Sequence, residues 1–375
     1  MGQSTNMGQP TLAARLRERV EREGPMTFRD WMEAALYDSQ DGYYQRRTRE
    51  RWGREGDYRT SPERSPLFAA TFAGYFAGLY EDLGQPDSWT IFEAGAGAGH
   101  FARGLLLTLE RDYQNVFQAT RYIIDEESEG AREESQRALA QFGERVEYLR
   151  LSQLAPGFDT GIVFSNELLD AFPVHRVTMR AGQLMELFVG TEKRTGAFTW
   201  TAGEPSTPRL SSYFEREKIR LSEGQIAEVN LAAGDWLERV ARIIKRGYVI
   251  TVDYGAEAGE LYSAPHRRAG TLRAFRRHRF VEDVLAQPGE QDMTTTIDWT
   301  NFKRVGHEHG LHTMSLEPQD RFLLRAGLLD QLERMTAQAE GEAEAIILRT
   351  SVREMILPGG MSASFQVLTQ EKRPG

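Results

Sequence analysis

The chain has 375 residues, of which 40% are hydrophobic and 27% are charged, and these values are typical of a soluble globular protein with one large core or two smaller ones. It contains no cysteine, which excludes disulfides, thiolate metal sites and cysteine nucleophiles. The seven histidines show no metal-ligand spacing, and the formal net charge of −9 disfavours a general nucleic-acid-binding protein.

Targeting signals are the next feature that the sequence can indicate. The amino-terminal residues carry no apolar segment of the kind found in a secretory signal. No run in the chain approaches the roughly 18 apolar residues of a membrane-spanning helix. We therefore expect no membrane insertion and a cytoplasmic location.

Residues 1–37 predict a disordered tail and two helices. Residues 1–10 are polar and rich in glycine, glutamine and serine, which is typical of a disordered terminus. An amphipathic pattern predicts a helix from Leu12 to Arg22, and Thr27 with Asp30 predicts the capped start of a second helix. One face of the second helix is expected in the core; it carries Phe28, Trp31, Met32, Ala35 and Leu36.

A polar segment then leads to a buried helix. Five arginines lie between residues 46 and 54, where a solvated loop and a surface for an acidic partner are the alternatives. The loop at 56–63 combines turn-forming residues with hydroxyl and acidic groups, directly before a predicted helix from Leu67 to Tyr80. Loops of this composition on a rigid scaffold often carry function.

The central stretch of the chain is WTIFEAGAGAGHFARGLLLTLER, residues 89–111. A short apolar run is followed by Glu93 and then by Gly95, Gly97 and Gly99, after which an apolar helical face begins. Strand, glycine turn and helix form the opening unit of a doubly wound α/β domain, which places a ligand over the helix N-terminus.

The spacing of the glycines indicates which ligand this turn suits. His100 stands where a dinucleotide fingerprint requires its third glycine, and no Gly-Lys-Ser/Thr ending of a phosphate loop is present. The pattern E-x-G-x-G-x-G resembles motif I of class I S-adenosylmethionine (SAM) methyltransferases. There the glycines allow close backbone approach, and Glu93 suits the ammonium group of the methionyl moiety. A turn-forming glycine cluster without a ligand is the alternative.

Two further strands extend this unit. Residues 121–125 predict a strand ending in Asp125, at the place where nucleoside-binding α/β domains bind ribose hydroxyls. Asp125 is preferred to the neighbouring Glu126, although the acidic run leaves a one-residue ambiguity. A third strand is predicted near residues 146–151, and Ser152 follows it at the usual place for an adenine contact.

The fourth strand, residues 161–165, runs into a polar segment that begins at Asn166. Ligands of an open parallel sheet gather outside the carboxyl ends of the strands, near the point where the strand order reverses. Asn166, Glu167 and Asp170 are therefore expected to face the transferable methyl group. Helix capping by these side chains is the structural alternative, and both roles can coexist.

The remainder of the chain predicts a hairpin insertion, more helices and the last strands. The hairpin comprises residues 174–179 and 184–189, and a long helix from Ile226 to Ile244 includes Glu228. A fifth strand at 248–252 precedes a second arginine cluster at 267–279, for which an acidic partner is the hypothesis. We expect a helix at about 299–309, a strand at 312–316, helices to about 356 and a final strand at 365–369.

Several separated blocks of the chain together resemble the MidA-like family of class I SAM methyltransferases, whose mitochondrial members are protein arginine methyltransferases acting in assembly of respiratory complex I. The blocks are GDYRTSPE (56–63), FEAGAGAGHFA (92–102), SNELLDAFPVHR (165–176), EVN (228–230), VDYG (252–255), GTLRAFRRHR through QDMTTTIDW (270–299), LPGGM (357–361) and FQVLTQ (365–370). They extend over nearly the whole chain. His100 departs from the family pattern and puts cofactor affinity in doubt.

The resemblance implies an α/β fold with a mostly parallel seven-stranded, Rossmann-like sheet and helices on both faces. It divides the chain into a tail (1–10), an N-terminal helical lid region (11–87), a SAM-binding core (88–256) with a hairpin insertion at about 174–210, and a substrate-side segment (257–375). It implies SAM or its product SAH as cofactor, no metal, and arginine methylation on a protein substrate.

Position after the fourth strand, for Glu167 and Asp170, and the matched EVN block, for Glu228, assign roles to residues. Glu167, Asp170 and Glu228 are the expected catalytic carboxylates, because a guanidinium must be oriented and relieved of its proton. Thr60, Glu63 and Tyr58 are expected to cover the cofactor, and His278 and Asp292 to line the substrate channel. A small-molecule O- or N-methyltransferase and a non-catalytic SAM-binding assembly factor remain open alternatives, whereas His100 disfavours a nicotinamide oxidoreductase.

Overall fold

The computed structural model describes residues 10–45, 65–276, 279–356 and 364–374. The predictions for residues 1–9, for the arginine cluster at 46–54 and for the loop with Tyr58, Thr60 and Glu63 lie outside the described residues, and so does the prediction for His278.

The described residues form helices and strands whose bounds follow in chain order. The helices are α1 (Leu12–Glu23), α2 (Phe28–Tyr37), α3 (Pro66–Asp82), α4 (His100–Asp112), α5 (Gln114–Ala119), α6 (Glu129–Leu139), α7 (Arg209–Arg216), α8 (Leu231–Ile243), α9 (Ala258–Ser263), α10 (Trp299–Glu308), α11 (Gln319–Arg325), α12 (Leu328–Ala337) and α13 (Glu342–Ile356). Short 3₁₀ helices occupy Ala140–Arg145, Leu151–Gln153, Leu169–Ala171 and Pro265–Arg267. The strands are β1 (Met26–Thr27), β2 (Trp89–Ala94), β3 (Thr120–Asp125), β4 (Val146–Tyr148), β5 (Phe158–Asn166), β6 (His175–Arg180), β7 (Gln183–Thr191), β8 (Phe198–Gly203), β9 (Ile226–Val229), β10 (Ile244–Ala256), β11 (Arg273–Arg276), β12 (Arg279–Val281), β13 (Asp292–Thr294), β14 (Ile297–Asp298), β15 (Leu311–Pro318) and β16 (Phe365–Lys372).

The chain divides into two compact units, each made of three separate segments. The large unit comprises Glu50–Ala171, Ala232–Ala258 and Thr296–Gly375, and the small unit comprises Met1–Arg49, Phe172–Leu231 and Gly259–Thr295. The sequence analysis instead divided the chain into consecutive regions, with boundaries at residues 87 and 256. The hairpin insertion groups with the first 49 residues, where β7 pairs with β1, and with 259–295, where Ile226 of β9 forms an isolated bridge with Ala269.

The large unit is built on one sheet with the strand order β15-β16-β10-β5-β2-β3-β4, and β14 pairs with the end of β10. Strands β4, β3, β2, β5 and β10 are parallel, whereas β16 is antiparallel to β10 and β15 is antiparallel to β16. All six residues of β2 are buried, as expected of a central strand that is covered on both faces. This arrangement confirms the predicted fold class.

Aromatic packing fixes the helices of the large unit against this sheet. Helix α3 begins at Pro66, and its cap is the Ser65 hydroxyl, which accepts a hydrogen bond from the Leu67 amide. On the predicted buried face of α4, the Phe101 ring stacks on Phe164 of β5 at 4.2 Å between centroids. The second contact holds the start of α4 against β5.

The small unit contains α1 and α2 and two antiparallel sheets. One sheet has the order β1-β7-β6-β9 with β8 on β7, and the other has the order β12-β11-β13. The Thr27 hydroxyl accepts a hydrogen bond from the Asp30 amide at 3.1 Å, so the predicted cap of α2 is confirmed. The face of α2 predicted to be apolar is fully buried.

Two sequence predictions of secondary structure are wrong. Residues Ile226–Val229 form β9, antiparallel to β6, rather than the first turn of a long helix, and α8 begins only at Leu231. An apolar spacing of three residues fits a helix and a short buried strand equally, and pairing with β6 decided between them. The third strand also ends at Tyr148, since Leu151 already begins a 3₁₀ helix.

Candidate functional site

The glycine turn after β2 has the backbone that only glycine adopts readily. Gly95, Gly97 and Gly99 have φ values of 72°, 55° and 81°, all in the left-handed region. A Cβ atom on Gly95 would lie 2.9 Å from Leu168 Cδ1, and a Cβ on Gly99 would lie 2.9 Å from Ser135 Cβ. The loop is therefore both conformationally and sterically reserved for glycine, as close approach of a ligand to the backbone requires.

Glu93 lies below this loop, buried in the sheet. The Tyr122 hydroxyl donates a hydrogen bond to Glu93 Oε2 at 2.6 Å. Burial raises the pKa of Glu93 to about 8, although the hydrogen bond from Tyr122 opposes the rise. A cationic ligand group beside this carboxyl would favour its ionised form, which is consistent with the predicted contact to an ammonium group.

Two neighbouring acids follow β3 and have different partners. Asp125 Oδ2 accepts the Leu151 amide at 2.8 Å, and Arg150 donates to Asp125 Oδ1 at 3.3 Å. Glu126 instead accepts the Gly97 amide at 2.8 Å and the Ser128 amide at 2.7 Å. Glu126 is therefore the acid that contacts the glycine loop, whereas Asp125 holds the turn after β4.

The turn that Asp125 holds carries Ser152. This residue is exposed on the 3₁₀ helix Leu151–Gln153, directly after the amide that binds Asp125.

Burial raises the pKa of Glu126 to about 7, against the lowering effect of its two backbone hydrogen bonds. The carboxyl group beside the glycine loop thus changes charge near neutral pH.

The end of β5 forms the second loop at this edge of the sheet. Glu167 has a φ of 51°, an unusual value for a residue with a side chain, and its amide donates to the Val252 carbonyl at 2.9 Å. The Asn166 amide group donates to Glu167 Oε1 at 3.2 Å. A strained backbone of this kind persists only where its surroundings hold it, and it is often found at functional sites.

Asp253, at the end of β10, supplies that support, and the sequence analysis assigned it no role. It is fully buried, and its Oδ2 atom accepts the amides of Leu169 at 2.9 Å and Asp170 at 3.3 Å. Burial raises the pKa of Asp253 to about 7. An acid at the end of an otherwise apolar strand is the sequence signal that could have indicated it.

Buried polar atoms at the ends of β5 and β10 provide a test of whether a ligand fits here. Ser165 Oγ, Asn166 Oδ1 and Thr251 Oγ1 are buried and form no hydrogen bond with any residue that the structure describes. Ser165 and Thr251 are paired across the two strands. Buried polar atoms are normally satisfied, so this edge suits a polar ligand.

Glu228 occupies a different setting, in the small unit. Its Oε1 atom accepts Arg176 Nε at 3.0 Å, and its Oε2 atom accepts the Thr271 amide at 2.5 Å. Gly270 has a φ of 87°, and a Cβ atom there would lie 2.4 Å from Glu228 Oε1. Both carboxylate oxygens are thus engaged, Oε1 with Arg176 on β6 and Oε2 with the turn before β11.

The structure brings most of the predicted site residues together at the carboxyl edge of one sheet. Those in the large unit are Glu93, Gly95, Gly97, Gly99, Asp125, Ser152, Asn166, Glu167 and Asp170. Glu228 and Asp292 lie in the small unit, where the Tyr44 hydroxyl donates to Asp292 Oδ1 at 2.6 Å. Within the described ranges, no group of three or more histidine or acidic side chains could hold a metal ion. None of the helices in those ranges is long and apolar enough to cross a membrane.

Comparisons with known proteins agree with this geometry. The model of the family described as "Putative S-adenosyl-L-methionine-dependent methyltransferase" matches residues 71–316. The crystal structure of a Burkholderia thailandensis protein bound to S-adenosyl-homocysteine is 29% identical with a TM-score of 0.83, over 96% of this chain and 91% of that chain. These matches bear out the resemblance drawn from the sequence motifs.

Curated relatives extend the comparison to the animal proteins. The Drosophila melanogaster protein named "Protein arginine methyltransferase NDUFAF7 homolog, mitochondrial" is 27% identical over 96% of this chain and 85% of its own length. The Homo sapiens protein arginine methyltransferase NDUFAF7, mitochondrial, is 20% identical over 95% of this chain and 79% of its own. The mitochondrial location of these relatives contradicts the cytoplasmic location that the sequence analysis predicted, and that prediction is wrong. The absence of a secretory signal did not bear on this question.

Proposed function

The chain belongs to this family of SAM-dependent methyltransferases, and we propose that it transfers the methyl group of SAM to an arginine side chain of a protein. The names of the Drosophila and human relatives support the arginine substrate. The acids at the end of β5 support it independently, because a guanidinium pairs best with carboxylates.

The residues around the glycine loop are suited to hold the cofactor, whose positively charged sulfur carries the methyl group to be transferred. The loop lets the ligand approach the backbone closely, and Glu93 lies below it for the ammonium group. We assign the ribose hydroxyls to Glu126 rather than to Asp125, because Glu126 contacts the glycine loop at the Gly97 amide, whereas Asp125 contacts Leu151 and Arg150 in the turn after β4.

The remaining cofactor contacts are assigned from position. Ser152 is exposed beside the turn that Asp125 holds and is proposed to contact the adenine. Asn166, with its unpaired buried oxygen, is proposed to face the methionyl side of the ligand. Thr60 and Glu63 stay predictions for the covering loop.

On the acceptor side, Glu167 and Asp170 are proposed to orient the guanidinium and to receive its proton as the new bond forms. An in-line displacement requires the acceptor nitrogen roughly 3 Å from the methyl carbon, so positioning supplies much of the rate. Glu228 is proposed as a positioning residue, since Arg176 and Thr271 already occupy its carboxylate.

The observation that carries this proposal is the backbone of Glu167. A φ of 51° costs free energy at a residue with a side chain. The half-buried Glu167 directly follows β5, the strand that pairs with β2 before the glycine loop, and Asp253 fixes the segment after it. Such an arrangement is expected where an acid must be held ready for a substrate.

The test is transfer of labelled methyl from SAM into proteins of a cell extract. Glu167→Gln is expected to lower transfer by roughly 100-fold or more while SAH binding is retained. Gly97→Val is expected to abolish both, because valine cannot adopt a φ of 55° without strain. Glu110→Gln, an exposed position on α4, is the matched control and should behave as the wild type.

Hydrolysis of the labelled protein identifies the acceptor. Methylated arginine, lost in Glu167→Gln, would support the proposal. Label on another residue type, or SAH binding without label in any protein, would contradict it and would indicate a different methyl acceptor.

A further inference from the structure

The β11–β12 hairpin of the small unit carries three arginines without acidic partners. Arg273, Arg276 and Arg279 are exposed, and none forms an ion pair with a carboxylate among the residues that the structure describes. Within the described ranges, Arg276 donates to the side-chain oxygen of Gln287. Some other arginines of this unit, such as Arg15 and Arg267, are paired with acids.

The arrangement of the hairpin is unfavourable unless something binds it. Arg276 and Arg279 lie directly opposite each other across the two strands, where like charges repel. The next pair is Phe275 with Phe280, whose rings lie 6.2 Å apart. Phe280 is 62% exposed, so a large aromatic surface lies beside the two charges. Exposed aromatic and arginine side chains are the residues most enriched in binding surfaces.

The rest of the unit holds the hairpin in place. Strand β11 pairs with β13 on its other side, and Ala274 and Met293 of that pair are fully buried. The turn that leads into β11 is held by Glu228, which accepts the Thr271 amide. The positive surface is therefore presented by a fixed scaffold, which lowers the entropy cost of binding a partner.

The acids near the hairpin form no ion pair with Arg273, Arg276 or Arg279 in the part of the chain that the structure describes. Glu282 is exposed directly after β12, and Asp283 accepts the amide of Leu285. Asp292 accepts the Tyr44 hydroxyl, and Glu290 is also engaged within the protein. Because the whole chain has 55 acidic and 46 basic residues, a local cluster of unpaired arginines stands out against a negative background. Such a surface attracts an acidic partner and repels a basic one.

We propose that Arg273, Arg276, Arg279 and Phe280 form a docking surface for an acidic segment of the protein substrate. The proposal rests on the proposed function in so far as the methyl acceptor is a protein. The arginines supply attraction that depends on ionic strength, and Phe280 supplies an apolar contact beside them.

The probe is a fluorophore-labelled polyglutamate peptide, with binding measured by fluorescence anisotropy on the full chain. The test variant is Arg273→Glu/Arg276→Glu/Arg279→Glu, and its companion carries lysine at the same positions. The matched control is Arg220→Glu/Arg349→Glu/Arg353→Glu, which changes the net charge equally at exposed arginines elsewhere. SAH binding by each variant verifies that it is folded.

The hairpin reversal is expected to weaken peptide binding by on the order of tenfold or more, while the control stays within about twofold. The lysine companion should retain most of the binding, because it keeps the charge. Methyl transfer to extract proteins should fall with the hairpin reversal through a higher KM, while SAH binding is unchanged.

Three results would overturn the proposal: equal weakening in the test and control variants, unchanged binding in the hairpin reversal, and lost peptide binding with undiminished methyl transfer to proteins. If the wild type labels no protein at all while the peptide binds through the hairpin, the arginine-methylation proposal fails and the acidic docking surface stands on its own.

Discussion

Replacing Glu126 by glutamine is expected to weaken SAH binding far more than replacing Asp125 by asparagine. In the free protein Glu126 accepts two backbone amides, at 2.8 Å from Gly97 and 2.7 Å from Ser128. Glutamine must turn its NH₂ group toward one of these donors, and it also loses the charge that strengthens hydrogen bonds from ribose hydroxyls. Charge-assisted hydrogen bonds contribute about 1.5–3 kcal/mol each, so a loss of about 2–3 kcal/mol corresponds to roughly 30- to 150-fold weaker binding.

The pH dependence provides a second, independent reading of the same residue. Burial raises the pKa of Glu126 to about 7, and acceptance of ribose hydroxyls favours the ionised form. Binding should therefore strengthen as the pH rises through 7, by about tenfold between pH 6 and pH 8. The Glu126→Gln variant should lose this step, whereas a step near pH 8 that survives belongs to Glu93.

Isothermal titration calorimetry with SAH at several pH values measures both effects. Asp125→Asn is the matched comparison, because Asp125 holds the Leu151 amide rather than the glycine loop. Less than tenfold weakening is expected there. The assignment of the ribose contact is refuted if Asp125→Asn weakens binding more than Glu126→Gln, or if the step near pH 7 persists without the Glu126 carboxyl.

Three further predictions concern stability. Gly255→Ala would place a Cβ 1.7 Å from the Nε1 atom of the buried Trp299 and should lower the free energy of unfolding in urea by about 2–3 kcal/mol. Gly259→Ala is the control, because a Cβ there would meet no atom within 4 Å. Equal losses in the two variants would contradict the steric argument. Arg176→Met leaves the buried Glu228 carboxylate without its cation and should lower the free energy of unfolding by about 3 kcal/mol. The double variant Arg176→Met/Glu228→Leu should recover part of this loss. Additive losses in this double-mutant cycle would show that the pair is not coupled. Burial raises the pKa of Glu93 from 4.5 to about 8, so the unfolded chain loses this proton at a lower pH than the folded chain. The free energy of unfolding should therefore fall between about pH 5 and pH 8, by up to about 1.4 kcal/mol per pH unit. Glu93→Gln should remove that part of the slope, and an unchanged slope would assign it to other groups.

Local features of the chain could be predicted from the sequence because they depend on neighbouring residues. The glycine turn, the cap at Thr27 and the buried face of α4 follow from patterns within about a dozen residues, and the structure has each of them. The mostly parallel sheet was accessible through the motif resemblance. Glu167 and Asp170 could be placed after β5 because they directly follow that strand in the chain.

Contacts between distant segments could be decided only by the tertiary structure. Ile226–Val229 has an apolar spacing that suits either state, and pairing with β6 made it a strand and engaged Glu228 with Arg176. Our proposal of Glu126 over Asp125 rests on the contact of Glu126 with Gly97, about 30 residues earlier in the chain. The buried Asp253 acquired its role because folding brought the 169–170 amides to it. In each case the deciding free energy comes from hydrogen bonds between segments far apart in sequence, which local pattern does not encode.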